Sequence, residues 1–187
     1  MIVTGIAHDP TRLNERGYLP STELVYLASK ALRAYQVKKL ITSLNPGWDQ
    51  ALAKAAQELK IPYVVAIPYP GRDGGLKRDA QVLYYDLLAR SDEVFRISEE
   101  YCDSAMLDCH CWRVDESDLV MALWDYEFEG ETFDVIDYAL KHGKEVANLW
   151  KDWSNLYTLR NNPDTIKVSS PDHPKASRGA RIYPPER

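Results

Sequence analysis

Short apolar runs alternate with helix-patterned stretches along most of this chain, and that alternation restricts its fold more than any other feature. Residues 2–4, 39–42, 61–67, 93–97, 119–124 and 145–149 are rich in β-branched or aliphatic side chains and read as strands. Between the first two, Leu24, Leu27, Ala28, Ala31 and Leu32 recur at helical spacing. Ala51, Leu52, Ala55, Ala56 and Leu59 do the same over residues 49–59. Further helices are expected over 77–90, 104–114 and 133–141, punctuated by Asn45-Pro46-Gly47 before the second and Gly143 after the last. Strand–helix alternation with short turns predicts a three-layer, Rossmann-like α/β fold: a mostly parallel sheet with helices on both faces. There is no internal repeat.

Charge and proline divide the chain near residue 150. Residues 1–150 carry a net charge of −8, whereas 151–187 carry +3 and contain Pro163, Pro171, Pro174, Pro184 and Pro185. One domain over 1–150 and a basic, proline-containing tail over 151–187 are therefore expected. The acidic body argues against extensive contact with nucleic-acid phosphates. No apolar run reaches membrane-span length, and Met1-Ile2-Val3-Thr4-Gly5 lacks the basic start of a secretory signal. Cys102, Cys109 and Cys111 are an odd, clustered set, which suits a reducing cytoplasm better than a disulfide framework. The Cys109-His110-Cys111 spacing is too tight for a zinc knuckle, so neither a metal nor a cofactor is expected.

In parallel α/β sheets, ligands sit beyond the carboxyl ends of the strands, where strand order reverses. After the first strand stand Thr4, Gly5 and His8, with Gly5 allowing a tight turn or close approach of a ligand to the backbone. After the second come Asn45, Gly47, Trp48 and Asp49. Gly47 sets free amides at a helix start, and Asp49 either caps that helix or meets a sugar hydroxyl. Pro68 ends the third strand. Trp124, Gly130, Glu131 and Thr132 follow the fifth, with Thr132 a cap or a phosphate contact and Trp124 a core residue or a stacking face. His110 and His8 are candidates for a polar pair in the crevice. Glu129 and Glu131 oppose a phosphate and suit a sugar, a base amine or a cation.

Taken in order, Val3-Thr4-Gly5, Gly47-Trp48-Asp49-Gln50 with its alanine-rich sequel, Ile61-Pro62 through Pro68-Tyr69, residues 114–125, Gly130-Glu131-Thr132 and Gly143-Lys144 resemble the YpsA-like branch of the SLOG superfamily. Its relatives include the DprA and LOG Rossmann-like folds. The chain departs from that pattern at His8, where an Arg is usual soon after the opening Gly, and at Cys109, His110 and Arg113, where Arg-Asn and Met are usual. The catalytic Glu of the related phosphoribohydrolases and deoxyribosyltransferases falls at Val135, which can act neither as base nor as nucleophile.

The resemblance implies binding of a nucleotide or nucleotide-derived signalling molecule at the strand ends, as a sensor or scavenger without turnover. It also implies self-association and a setting in bacterial or phage conflict systems. The alternative is hydrolysis or transfer at an N-glycosidic bond, with Glu129, Glu131 or Asp134 replacing the lost carboxylate.

Overall fold

The computed structural model describes residues 1–13 and 19–161. Its strands are β1 (Ile2–Ala7), β2 (Lys39–Thr42), β3 (Tyr63–Ile67), β4 (Glu93–Arg96), β5 (Leu119–Leu123) and β6 (Glu145–Asn148). They form one parallel sheet in the order β4-β3-β2-β1-β5-β6. The helices are α1 (Thr22–Ala34), α2 (Trp48–Leu59), α3 (Arg78–Leu88), α4 (Ala105–Asp115), α5 (Glu131–Lys141) and α6 (Trp150–Asn161), with a short 3-10 turn at Arg72–Gly75 before α3.

Period-two alternation along the central strands sorts the core into two layers. Val3, Leu40, Val65, Leu119 and Met121 pack with α1, α2, α3 and α6, while Ile6, Val120 and Ala122 pack with Val114 of α4 and with Val135, Ile136 and Ala139 of α5. Both faces of β1 and β5 are thereby buried, which is why these strands read as nearly continuous apolar runs. Sequence order runs outward from β1 in both directions, so the topological switch lies at β1 and β5.

Two local features depart from expectation. Gly5 is not in a turn but inside β1, which continues to Ala7. A Cβ at Gly5 would stand 2.4 Å from Leu52 Cδ1 and 3.1 Å from Asp49 Oδ1, so glycine is there to let α2 approach the strand. The boundary expected at residue 150 falls at the start of α6, whose Trp153 is 2% exposed, belongs to the core and donates from Nε1 to the Leu13 carbonyl at 3.2 Å. Residues 162–187 of the expected tail lie outside the described residues.

Candidate functional site

The sheet opens at its carboxyl edge. Pairing between β1 and β2 ends at Thr4–Ile41, whereas β1 stays paired with β5 as far as Ala7–Leu123. The Gly5 carbonyl, left without a β2 partner, accepts instead from Arg113 Nη2. Arg113 is fully buried. It reaches from α4 across the strand ends, donating through Nε to Thr4 Oγ1 at 3.0 Å and through Nη1 to Ser43 Oγ and to Asp49 Oδ2, the last at 2.8 Å.

This arrangement corrects the reading of Asp49. The N-cap of α2 is Gly47, with φ +86° and no side-chain cap. The Asp49 carboxylate accepts from Ser43 N at 3.2 Å, Ser43 Oγ at 2.8 Å and Arg113, so it is a buried counter-ion and not a free acceptor for a sugar. Thr4 is likewise structural, donating to the Ile41 carbonyl at 3.0 Å.

Above this buried floor lies a cleft of about 440 Å³. Of the residues singled out in the sequence, Gly5, His8, Asn45, Trp48, Asp49, His110, Glu131 and Thr132 line it. Gly47 sits beside it, where a Cβ would meet Pro10 Cγ at 3.1 Å. Thr4, Pro68, Trp124 and Gly130 are not on its wall. The Pro68 carbonyl accepts from Ser98 N at 3.1 Å, and Gly130, with φ +85°, starts α5. Neither tryptophan offers a stacking face: Trp48 is 1% exposed with Nε1 donating to the Met121 carbonyl, and Trp124 is 2% exposed with Nε1 donating to the Glu127 carbonyl.

The N-terminus of α5 faces the cleft through Glu131, Thr132 and Val135. Thr132 does not cap it. Its hydroxyl donates to the Ala7 carbonyl at 3.2 Å and pins the helix start to the end of β1. Glu131 pairs with His110 Nε2 at 3.0 Å, and that hydrogen bond, helped by the charges of Arg72 and Arg113, holds its carboxyl below the usual range against the opposing pull of desolvation. His8 instead pairs with Asp125 at 2.8 Å, so the two histidines do not form a pair with each other.

Sequence reasoning missed Arg72, Lys77, Met106 and the role of Arg113, all of which line the cleft. Arg72 is carried by the turn after β3. It donates through Nε to Met106 Sδ at 3.3 Å and through Nη2 to Asn45 Oδ1 at 3.3 Å, and among the described residues no carboxylate lies within ion-pair distance of it. The turn itself is held by Asp73, whose carboxylate accepts from Tyr85 Oη at 2.5 Å and Gln81 Nε2 at 3.3 Å. The Gly71-Arg72-Asp73-Gly74-Gly75 loop carried the available signal: a cation in a glycine-rich segment directly after a strand of a parallel sheet.

No protein-family model and no curated protein matches the chain. Among solved structures, DNA processing protein A (DprA) from Streptococcus pneumoniae is similar at 12% identity with a TM-score of 0.54, covering 78% of this chain. The fold is DprA-like. The match spans 49% of the DprA chain, so this protein corresponds to about half its length. The likeness is one of fold, and it agrees with the Rossmann-like α/β architecture expected from the sequence. Looser similarity extends to the molybdenum cofactor carrier protein MCP from Chlamydomonas reinhardtii (15% identity, TM-score 0.47, 87% of this chain and 85% of that one). It also extends to the molybdenum cofactor binding protein from the phototrophic bacterium Rippkaea orientalis (17%, 0.47, 86% and 84%).

Val135, the position that the sequence resemblance aligns with a catalytic Glu, is 1% exposed and forms part of the cleft wall. Asp134, one residue earlier, is not on that wall, which agrees with the rotation of about 100° per helical residue.

Proposed function

We propose that the cleft binds a small phosphorylated molecule of the nucleotide class and holds it without cleaving it, as a sensor or scavenger does. The observation that carries this reading is the Arg72 guanidinium, set in the cleft against neutral partners while the N-terminus of α5 lines the same hollow. A buried cation held against a carboxylate has its first partner already, as Arg113 has in Asp49. Arg72 has no carboxylate within ion-pair distance among the described residues and is placed to meet an incoming anion, and the amides at the start of α5 add the positive end of the helix dipole. The Glu131 carboxylate beside those amides is countered by its hydrogen bond to His110 and by Arg72 and Arg113.

Absence of turnover rests on Val135, which brings an aliphatic side chain to the position where N-glycosidic chemistry needs a carboxylate. One observation favours the second reading, N-glycosidic cleavage: Glu131 lines the cleft as a carboxylate whose pKa is held low.

Calorimetric titration with nucleoside 5′-monophosphates, triphosphates and cyclic dinucleotides, followed by chromatography for free base, tests both. The expected result is saturable binding with no base released. Free base would establish the second reading, and no binding by any of these compounds would overturn the first.

A further inference from the structure

The edge of the sheet formed by β4 pairs with β3 alone, and all four of its residues are exposed. At the opposite edge, β6 keeps Val146, Ala147 and Asn148 half-buried. An open edge presents unpaired N–H and C=O groups to any strand that can reach it, and proteins commonly blunt such edges with proline, a bulge or a covering element. β4 carries no proline, and Val94 and Phe95 stand 51% and 43% exposed on its two faces.

Backbone geometry settles which groups are open. Asp92 N donates to the Tyr63 carbonyl at 3.0 Å, and the register then runs from Val64–Glu93 to Ile67–Arg96. Along a strand, alternate residues turn both backbone groups to the same neighbour. Asp92, Val94 and Arg96 therefore face β3, while Glu93 and Phe95 point N–H and C=O outward. A second copy laid antiparallel about a two-fold axis at Val94 takes up all four outward groups. Glu93 exchanges two hydrogen bonds with Phe95 of the second copy, Phe95 exchanges two with its Glu93, and Val94 meets itself at the axis.

The side chains fit that register. Asp92, Val94 and Arg96 share one face, so Arg96 lies opposite Asp92 of the second copy, and symmetry sets two such pairs around the Val94 contact. Within one chain Arg96 pairs with Glu99 at 3.4 Å, both side chains exposed, a contact that solvent keeps weak. Asp92 commits Oδ2 to Tyr63 N at 2.8 Å, which leaves Oδ1 for the second copy. On the other face Phe95, whose ring centroid lies 5.3 Å from that of Trp112 on α4, comes opposite Glu93 of the second copy. Glu93 approaches its own copy only on a diagonal of about 7–8 Å, in solvent that screens the repulsion.

We infer that β4 is the contact surface for a second copy of this chain, joining two six-stranded sheets edge to edge into one continuous sheet. The two clefts then open on opposite sides of the joined sheet, each built from one chain, so the inference stands apart from what the cleft binds. Strands of four residues make a small interface, which puts the association in the weak, concentration-dependent class.

The test is sedimentation velocity of the full chain from about 5 to 500 µM, a range suited to a weak pair, joined to oxidative cross-linking in a Cys102→Ser background that removes the exposed native thiol. The expected result is a shift from monomer to dimer with concentration. Val94→Lys, which sets two like charges together at the axis, and Arg96→Glu, which turns a carboxylate toward Asp92, should each weaken it about tenfold or more. Both native side chains are exposed, so these substitutions leave the core untouched. Val94→Cys should cross-link to itself, because a non-hydrogen-bonded pair brings its Cα atoms to about 4.5 Å, whereas Glu93→Cys on the longer diagonal should not. A chain that stays monomeric throughout overturns the inference. So does a dimer that both charge variants leave unchanged, or one that cross-links through Glu93→Cys and not through Val94→Cys.

Discussion

Arg113 Nη1 and Asp49 Oδ2 lie 2.8 Å apart with both side chains inside the protein, joining α4 on one face of the sheet to α2 on the other. The counter-charge to Arg113 stands 64 residues away in the chain. Either group alone would be an uncompensated buried charge. Arg113→Met and Asp49→Asn are each expected to cost about 3–5 kcal/mol of stability by urea denaturation. The double variant Asp49→Leu/Arg113→Met should cost well below the sum. Single losses under about 1 kcal/mol would show that the pair is not the keystone of the strand ends.

Gly5 should be intolerant of even one carbon. Its substituent would press on Leu52, fully buried on α2, so Gly5→Ala is expected to destabilise by about 1–3 kcal/mol. Adding Leu52→Val should relieve part of that loss, because the clash is with the end of the leucine side chain. A neutral Gly5→Ala in thermal denaturation would contradict the close approach of α2.

Much of this architecture was legible in the sequence, and the reasons are physical. Strands buried on both faces leave uninterrupted apolar runs, which is how β1, β2, β3 and β5 announced themselves. From them the strand-end location of the cleft followed by topology. What escaped notice depends on contacts between segments distant in the chain. Gly5 read as a turn or a ligand's point of approach because its constraint comes from α2. Asp49 read as a cap or a sugar contact because its partner sits on α4. α6 read as tail because its apolar stripe is carried by Trp150, Trp153 and Tyr157 amid polar residues, next to a proline-rich stretch. Arg72 lay in a glycine-rich loop with no known phosphate motif, and its orientation comes from Asn45 and Met106.

The Glu131–His110 pair sets a pH dependence of definite sign. Glu131 has a folded pKa below its ordinary 4.5, through the His110 hydrogen bond first and the nearby cations after it. A depressed carboxyl stabilises the fold above the unfolded value, and that contribution is lost as pH falls through the folded value. The stability gap between wild type and Glu131→Gln should therefore shrink as pH falls below about 4.5. With the Glu131 side chain 61% exposed, solvent screening keeps that gap below about 1 kcal/mol. A gap that widens on acidification would refute the assignment.

Burial pushes the Cys109 thiol up to about 11, and its Sγ lies 3.6 Å from the Ala66 carbonyl. Cys102 is exposed. Iodoacetamide at pH 8 should alkylate Cys102 in the native protein and reach Cys109 only after denaturation, as read by peptide mass spectrometry. Early modification of Cys109 would mean that α4 does not cover the sheet as described.

Where the anion sits is best settled by backbone amide NMR of the uniformly labelled protein during titration with a nucleoside 5′-monophosphate. The expected shifts cluster at Ala7–Asp9, Asn45–Asp49, Arg72–Gly75 and Glu131–Phe133, weaken sharply in Arg72→Gln, and leave α1 and α6 unmoved. Shifts centred on α1 and α6, or an undiminished response in Arg72→Gln, would contradict a phosphate seat at the carboxyl ends of the strands.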